Sequence, residues 1–323
     1  MSAPAQQQVI AAQQVEHAFA DNVGVFDLNF TVPLGTIFGL IGPSGSGKTT
    51  TVRLLTGVYP PQKGELRVLG AVPSRFRTSM RERIGYMPQQ FVLYPNLTVW
   101  ENLNFVASMY GMPYFRRKGR LKELLEVVQL TDARDRLASK LSGGMQRRLS
   151  LACALAHNPA LVFLDEPTAG IDPILRARFW EMFRRLRDEG HSFFITTQYI
   201  GEAAYCDLVG VMREGRLLYV DTPEGLRRTA LGGEVIKIVV EPQQSRVAAA
   251  ALQRHDLVGE VRLSRGTPGL LYVYVDDAGP ALPVLLNELN AQPGVDVRQA
   301  EEYQPPFDDI FVALMERAER SNA

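Results

Sequence analysis

Residues Gly42-Pro43-Ser44-Gly45-Ser46-Gly47-Lys48-Thr49 form the pattern G-x-x-x-x-G-K-T directly after the apolar run Phe38-Gly39-Leu40-Ile41. This stretch constrains the fold more than any other. A buried apolar run that ends in glycines and opens into a helix-forming segment, Thr50 to Leu55, reads as strand, turn and helix. The glycines let successive backbone N–H groups curl around an anion, and the start of the helix adds positive potential. A lysine and a hydroxyl immediately after the last glycine complete a cradle for a chain of phosphates. The candidate nucleotide-binding set is therefore Gly42, Pro43, Ser44, Gly45, Ser46, Gly47, Lys48, Thr49 and Thr50. Lys48 is placed to reach β- and γ-phosphates, and the Thr49 hydroxyl to hold Mg²⁺.

The motif marks a P-loop NTPase without saying which kind. Two further short apolar runs, Leu161-Val162-Phe163-Leu164 and Phe193-Phe194-Ile195, read as buried strands of a parallel sheet covered on both faces. The first ends in Asp165 and Glu166. Ligands bind at the carboxyl ends of strands in such sheets, so Asp165 is assigned to the metal and Glu166 to polarising an attacking water. Between residues 97 and 138 the pattern turns helical. Thr98 with Glu101 forms a capping box, and Leu121, Leu124, Leu125 and Val128 have helical spacing.

The chain has 323 residues, 35 basic and 35 acidic, and 46% hydrophobic residues. That excludes disorder as the main state, and zero net charge argues against a nucleic-acid partner. The two cysteines, Cys153 and Cys206, lack metal or redox spacing and suit a reducing cytosol. His17, His157, His191 and His255 also lack metal spacing. No apolar run reaches the roughly 18 residues that a bilayer requires. The first Lys or Arg is Lys48, so no signal peptide is expected, and the glutamine-rich first fourteen residues read as a polar leader.

Neutrality conceals a split. From Glu234 onward there are 8 basic and 14 acidic residues, against 27 and 21 before it. The change coincides with Leu231-Gly232-Gly233 and predicts a boundary there. Beyond it the expected order is strand Val235–Val240, helix Arg246–Gln253, strands Glu260–Leu263 and Leu271–Val275, helix Pro280–Leu289 and strand Val295–Val297. This βαββαβ order is ferredoxin-like. A closing helix carries Phe307, Ile310, Phe311 and Leu314 on one face.

Leu141-Ser142-Gly143-Gly144-Met145-Gln146-Arg147-Arg148 opens a helix 23 positions before Asp165, counted from Ser142. With this segment between the phosphate cradle and the acidic strand end, the chain resembles the ATP-binding-cassette ATPases. The resemblance spans residues from about 9 to 230. It implies a RecA-like core with a helical subdomain at about 90–145, within a nucleotide-binding domain at 1–230. Residues 231–323 then form a small α+β ferredoxin-like accessory domain. It implies that Ser142, Gly143 and Gly144 bind the ATP held by a second ATPase subunit, identical or similar, and that Asp172 speaks to that subunit. It also makes Gln89, or Gln90 if the alignment slips by one, the glutamine that touches Mg²⁺, and Phe19 the aromatic that stacks on adenine. Gln198 departs from the family, which usually has histidine there. A glutamine amide can donate a hydrogen bond but cannot carry a proton. Gln198 therefore either replaces the contact with slower turnover, or leaves a module that binds ATP with little or no hydrolysis.

The chain holds one cradle and one signature segment, so paired sites imply dimerisation. The closing segment Phe307–Leu314 resembles that of bacterial multidrug-type exporters. These place an ATPase subunit on the cytoplasmic face of the plasma membrane against an integral-membrane permease on a separate chain, with drug-like or lipid-like cargo. The segment near Trp100–Tyr114 is expected to grip that permease. The basic cluster Phe115-Arg116-Arg117-Lys118-Gly119-Arg120 reads as a solvated loop, with a membrane surface or an RNA as alternatives.

Overall fold

The computed structural model describes residues 7–90, 92–264 and 266–321. The chain divides into two compact units, Met1–Thr222 and Pro223–Ala323.

The first unit opens with β1 (Gln8–Ala20) and β2 (Val23–Pro33). β1 starts inside the expected polar leader. Val9, Ile10 and Ala12 are buried while the glutamines Gln8, Gln13 and Gln14 are exposed, so the Gln-rich composition is that of a half-buried strand. Together with β4 (Lys63–Val68) these strands form an antiparallel sheet in the order β2-β1-β4.

The larger sheet is built from β3 (Ile37–Ile41), β5 (Ile84–Met87), β6 (Leu161–Asp165), β7 (Ser192–Thr197), β8 (Leu208–Arg213) and β9 (Arg216–Asp221). Its order is β5-β6-β7-β3-β8-β9, parallel except for the β9 edge. Every residue of β3, β6 and β7 is buried, as continuous apolar runs require. Phe38 stacks on Phe194 with centroids 5.1 Å apart, and Phe163 lies 5.9 Å from Phe194. Each such buried ring contributes about 1.5–3 kcal/mol. Helix α1 (Lys48–Leu55) follows β3, and the short α2 (Thr78–Arg81) precedes β5. Helices α3 (Val99–Met109), α4 (Tyr114–Val127) and α5 (Gly143–Leu155) make the helical segment, and α6 (Pro173–Asp188) follows β6. Thr98 and Glu101 form the reciprocal capping box of α3. The cluster Phe115–Arg120 is not a loop but the first turns of α4, whose Leu121, Leu124 and Leu125 are buried.

The second unit begins with α7 (Pro223–Leu231), which packs on the closing helix α10 (Phe307–Ser321). Leu226 is buried and Arg227 lies 5.6 Å from the Phe307 ring centre. The division at Thr222 therefore precedes the glycine pair that the charge change pointed to, because α7 is held by α10. Strands β10 (Glu234–Val240), β11 (Val258–Leu263), β12 (Leu270–Val275) and β13 (Val297–Tyr303) pair antiparallel in the order β11-β12-β10-β13. Helices α8 (Ser245–Leu252) and α9 (Ala278–Ala291) pack against them through Ala248, Leu252, Leu285 and Leu289. This is the ferredoxin-like arrangement. The last strand lies downstream of Val295–Val297, in the polar stretch Val297–Tyr303.

Candidate functional site

The parallel strands β5, β6, β7 and β3 are neighbours and end on the same side of the sheet. Their carboxyl ends lead into Gln89, Asp165 with Glu166, Gln198 and the glycine loop, in that order across the sheet. Distant stretches of sequence converge because the strands are in register: Leu40 pairs Thr196, and Asp165 pairs Thr196 from the other side.

The glycine loop is tightly wound. Gly47 has φ of 105°, a conformation that side chains rarely adopt. A Cβ there would come within 2.9 Å of Met212 and Val25. A Cβ on Gly42 would lie 2.2 Å from the Met212 carbonyl oxygen. Lys48 Nζ donates to the carbonyl oxygens of Gly42 at 2.8 Å and Pro43 at 2.9 Å. Burial lowers the Lys48 pKa, opposed by the charges of Glu166 and Asp165. Phe19, Ser44, Gly45, Gly47, Lys48, Thr49, Thr50, Gln89 and Glu166 line one cleft of about 240 Å³. Gly42 and Ser46 lie buried under the loop. Phe19 is about half exposed and meets His17 and Tyr59 edge-on at 4.8 and 5.4 Å.

The acidic strand end is held by β7. The Thr196 hydroxyl donates to Asp165 Oδ1 and accepts the Glu166 backbone N–H at 3.1 Å. That same N–H also donates to the Thr196 carbonyl oxygen at 3.0 Å. Glu166 sits at φ of 53°, which a non-glycine residue takes up only when its surroundings enforce it. Gln89 Nε2 donates to Glu166 Oε2 at 3.3 Å. Gln198 is exposed in the bend after β7 and does not line the cleft.

Asp165 is buried, and its Oδ2 has no hydrogen-bond partner within the described residues. A buried carboxylate oxygen left open in this way suits a cation or the water shell of one. Among the described residues no group of three or more His, Cys, Asp or Glu side chains gathers as a metal cage. The open Asp165 oxygen, with Thr49 and Gln89 in the cleft, is the oxygen-donor setting that a hard cation such as Mg²⁺ would suit.

A second surface gathers Ser142, Gly144 and Asp172 with Gln129, Met145, Arg148, Gly170, Ile171 and Leu175, around about 190 Å³. Ser142 caps α5 by accepting from Met145 N–H at 3.4 Å, and Asp172 caps α6 by accepting from Leu175 N–H at 3.0 Å. Gly143 is the first residue of α5 and is exposed. This surface and the glycine-loop cleft have no lining residue in common.

Sequence reading missed several residues here. Val23 and Gly24 line the cleft from the β1–β2 turn. Arg147 donates to the Ala169 carbonyl at 2.6 Å and the Gln89 carbonyl at 3.3 Å. It thereby ties the signature helix to both sides of the acidic site. Arg176 donates to the Ile171 carbonyl at 3.2 Å, lies 3.6 Å from buried Glu202 and 4.4 Å from the Tyr199 ring centre. The Arg147 contacts and the Arg176 contacts with Glu202 and Tyr199 join stretches far apart in sequence, so local spacing does not mark them.

A family model described as ABC transporter matches residues 25–169. The chain is 34% identical over 338 residues to the "Probable multidrug ABC transporter ATP-binding protein YbhF" of Escherichia coli. That alignment covers 94% of this chain and 58% of the relative, so the chain spans a little over half of that protein. It is 37% identical over 310 residues to the "Nod factor export ATP-binding protein I" of Burkholderia orbicola, covering 94% of this chain and 96% of the relative. Among solved structures, one described as "Structure of ATP binding subunit of ABC transporter" superposes with a TM-score of 0.64 and 26% identity, covering 68% of this chain and 92% of the other.

Proposed function

The chain belongs to the ABC transporter family, and on that premise we propose that it hydrolyses ATP to drive export through a permease carried on a separate chain. The relatives named for multidrug transport and Nod factor export support outward transport. Among the described residues no helix is long and apolar enough to cross a membrane, in keeping with a permease supplied from elsewhere.

One observation supports the reading: the glycine-loop cleft and the Ser142–Asp172 surface share no lining residue. In our reading each cleft is completed by the signature surface of a second ATPase subunit, so that ATP holds the pair closed. The loop N–H groups and Lys48 bind the β- and γ-phosphates, with Lys48 exchanging its two carbonyl partners for phosphate oxygens. Phe19 offers its half-exposed ring to the adenine. Thr49, Asp165 and Gln89 would hold a Mg²⁺ ion, which would neutralise phosphate charge. Glu166 orients and deprotonates the attacking water, and the Gln89 amide withdraws from Glu166 as the nucleotide enters. Gln198 donates an amide hydrogen bond to the γ-phosphate when the bend after β7 closes.

Replacing Glu166 with Gln tests the base. Turnover is expected to fall by roughly 10²–10⁴-fold, while nucleotide affinity stays near that of the native protein. Equal phosphate release from the two proteins would remove Glu166 from the role.

A further inference from the structure

Tyr114 and Phe115 are 83% and 80% exposed, the two barest aromatic side chains among the described residues. They are consecutive in the first turn of α4, immediately after Pro113. The helix is anchored further along, where Leu121, Leu124 and Leu125 are buried, while the two rings at its start stay exposed. Around them the sequence is strongly basic. Residues 114–122 hold Arg116, Arg117, Lys118, Arg120 and Lys122 and no acid. Arg116, Lys118 and Lys122 are exposed, and the Arg116 guanidinium lies 6.0 Å from the Phe115 ring centre. Arg117 and Arg120 are engaged locally, Arg117 with the Met112 carbonyl and Arg120 with Glu123. The nearby acids are Glu82, beside Gly111, and Glu123, which also pairs with Arg185.

Two bare rings in one turn are unfavourable in water, and exposed cations beside them exclude a purely apolar partner. Both features are satisfied at one kind of surface. At the headgroup level of a bilayer, aromatic rings sit in the boundary zone while Arg and Lys take the phosphates of anionic lipids. The balanced charge of the whole chain disfavours an RNA partner, which rewards a basic excess. We propose that the tip of α4 docks on an anionic phospholipid surface through Tyr114, Phe115, Arg116 and Lys118. The proposal does not depend on ATP turnover. It assigns the tip a lipid contact that the chain makes without a permease.

Sedimentation with vesicles tests it, using the whole chain alone. Vesicles of phosphatidylcholine with about one-third phosphatidylglycerol are compared with phosphatidylcholine alone. The native protein is expected to bind the anionic vesicles selectively, and less as salt rises. Tyr114→Ser with Phe115→Ser, and separately Arg116→Glu with Lys118→Glu, are expected to weaken binding roughly tenfold. Nucleotide affinity, read on the same samples, should stay unchanged and so report an intact fold. Tyr114→Trp with Phe115→Trp should bind at least as well as the native protein. Equal native binding to both vesicle types, no binding to either, or Trp variants that bind less would overturn the proposal. Serine variants that bind anionic vesicles as well as the native protein would also overturn it. Displacement by RNA at equal ionic strength would overturn it in favour of nucleic acid.

Discussion

The Thr196 hydroxyl holds two neighbours at once, donating to Asp165 and accepting from the Glu166 backbone. Thr196 is fully buried, so valine keeps its shape and removes only the polar atom. The Glu166 N–H retains the Thr196 carbonyl, so the loss falls mainly on Asp165, whose other oxygen already lacks a protein partner. Thr196→Val is expected to cost about 1–3 kcal/mol of stability and to lower ATPase roughly tenfold. Thr196→Ser should restore most of both. Thermal unfolding and steady-state phosphate release check this, and native turnover in the valine variant would count against it. The contrast with Lys48 shows which residues a sequence reveals. Gly42 and Gly47 are legible because close backbone approach demands glycine there, and Lys48 because a phosphate cradle calls for a cation directly after the last glycine. Thr196, Arg147 and Arg176 act through partners 20 or more positions away or on another element, so their types alone carry no signal.

At the scale of elements, the junction of α3 with the sheet rests on a stacked pair. Tyr110, the C-cap of α3, lies 3.8 Å from the His157 ring centre, nearly parallel to it. His157 Nε2 meets the Ile84 carbonyl of β5 at 3.0 Å, while Nδ1 is buried without a hydrogen-bond partner among the described residues. Burial lowers the His157 pKa below its ordinary 6.5, with the Ile84 contact opposing. A neutral ring with Nε2–H donating fits this setting; a second proton on Nδ1 would have no acceptor. Since the folded value is depressed, the stability it contributes is present above pH 6.5 and declines as pH falls below it. Melting temperatures from pH 7.5 to 5.5 should therefore drop by several degrees more in the native protein than in His157→Gln, which keeps a donor but cannot titrate. Identical pH profiles would exclude His157 as the sensitive group. The elements themselves were unequally legible. Buried parallel strands announce themselves as apolar runs, whereas β13 is an edge strand without a buried residue, its Arg298, Gln299 and Glu302 exposed, and among the described residues it pairs only to β10. Its Gln299, Glu301 and Glu302 conceal the pattern, and so do the exposed glutamines of β1.

At the scale of the molecule, the proposal that a second subunit's signature surface completes the glycine-loop cleft makes a prediction that distinguishes composite sites from sites complete within one chain. Lys48→Ala disables the glycine-loop cleft, and Ser142→Arg obstructs the signature surface, yet neither touches the other half. Both proteins should remain folded, because the loss of the Ser142 cap costs about 0.5–2 kcal/mol and Lys48 contributes two carbonyl hydrogen bonds. Alone, each variant should show no ATP-dependent doubling of mass in light scattering, and little turnover. Mixed, they can form a pair in which the intact cleft of the Ser142→Arg chain faces the intact signature of the Lys48→Ala chain. The mixture should then recover part of both signals, and adding excess Lys48→Ala to native protein should not abolish turnover completely. A near-complete shift to the closed pair requires ATP to favour it by about 5.5 kcal/mol, so the doubling should be sharpest with Glu166→Gln in both chains to prevent discharge. If each chain held a complete site, mixing two inactive proteins would recover nothing, and the composite reading would fail at the step on which the export mechanism rests.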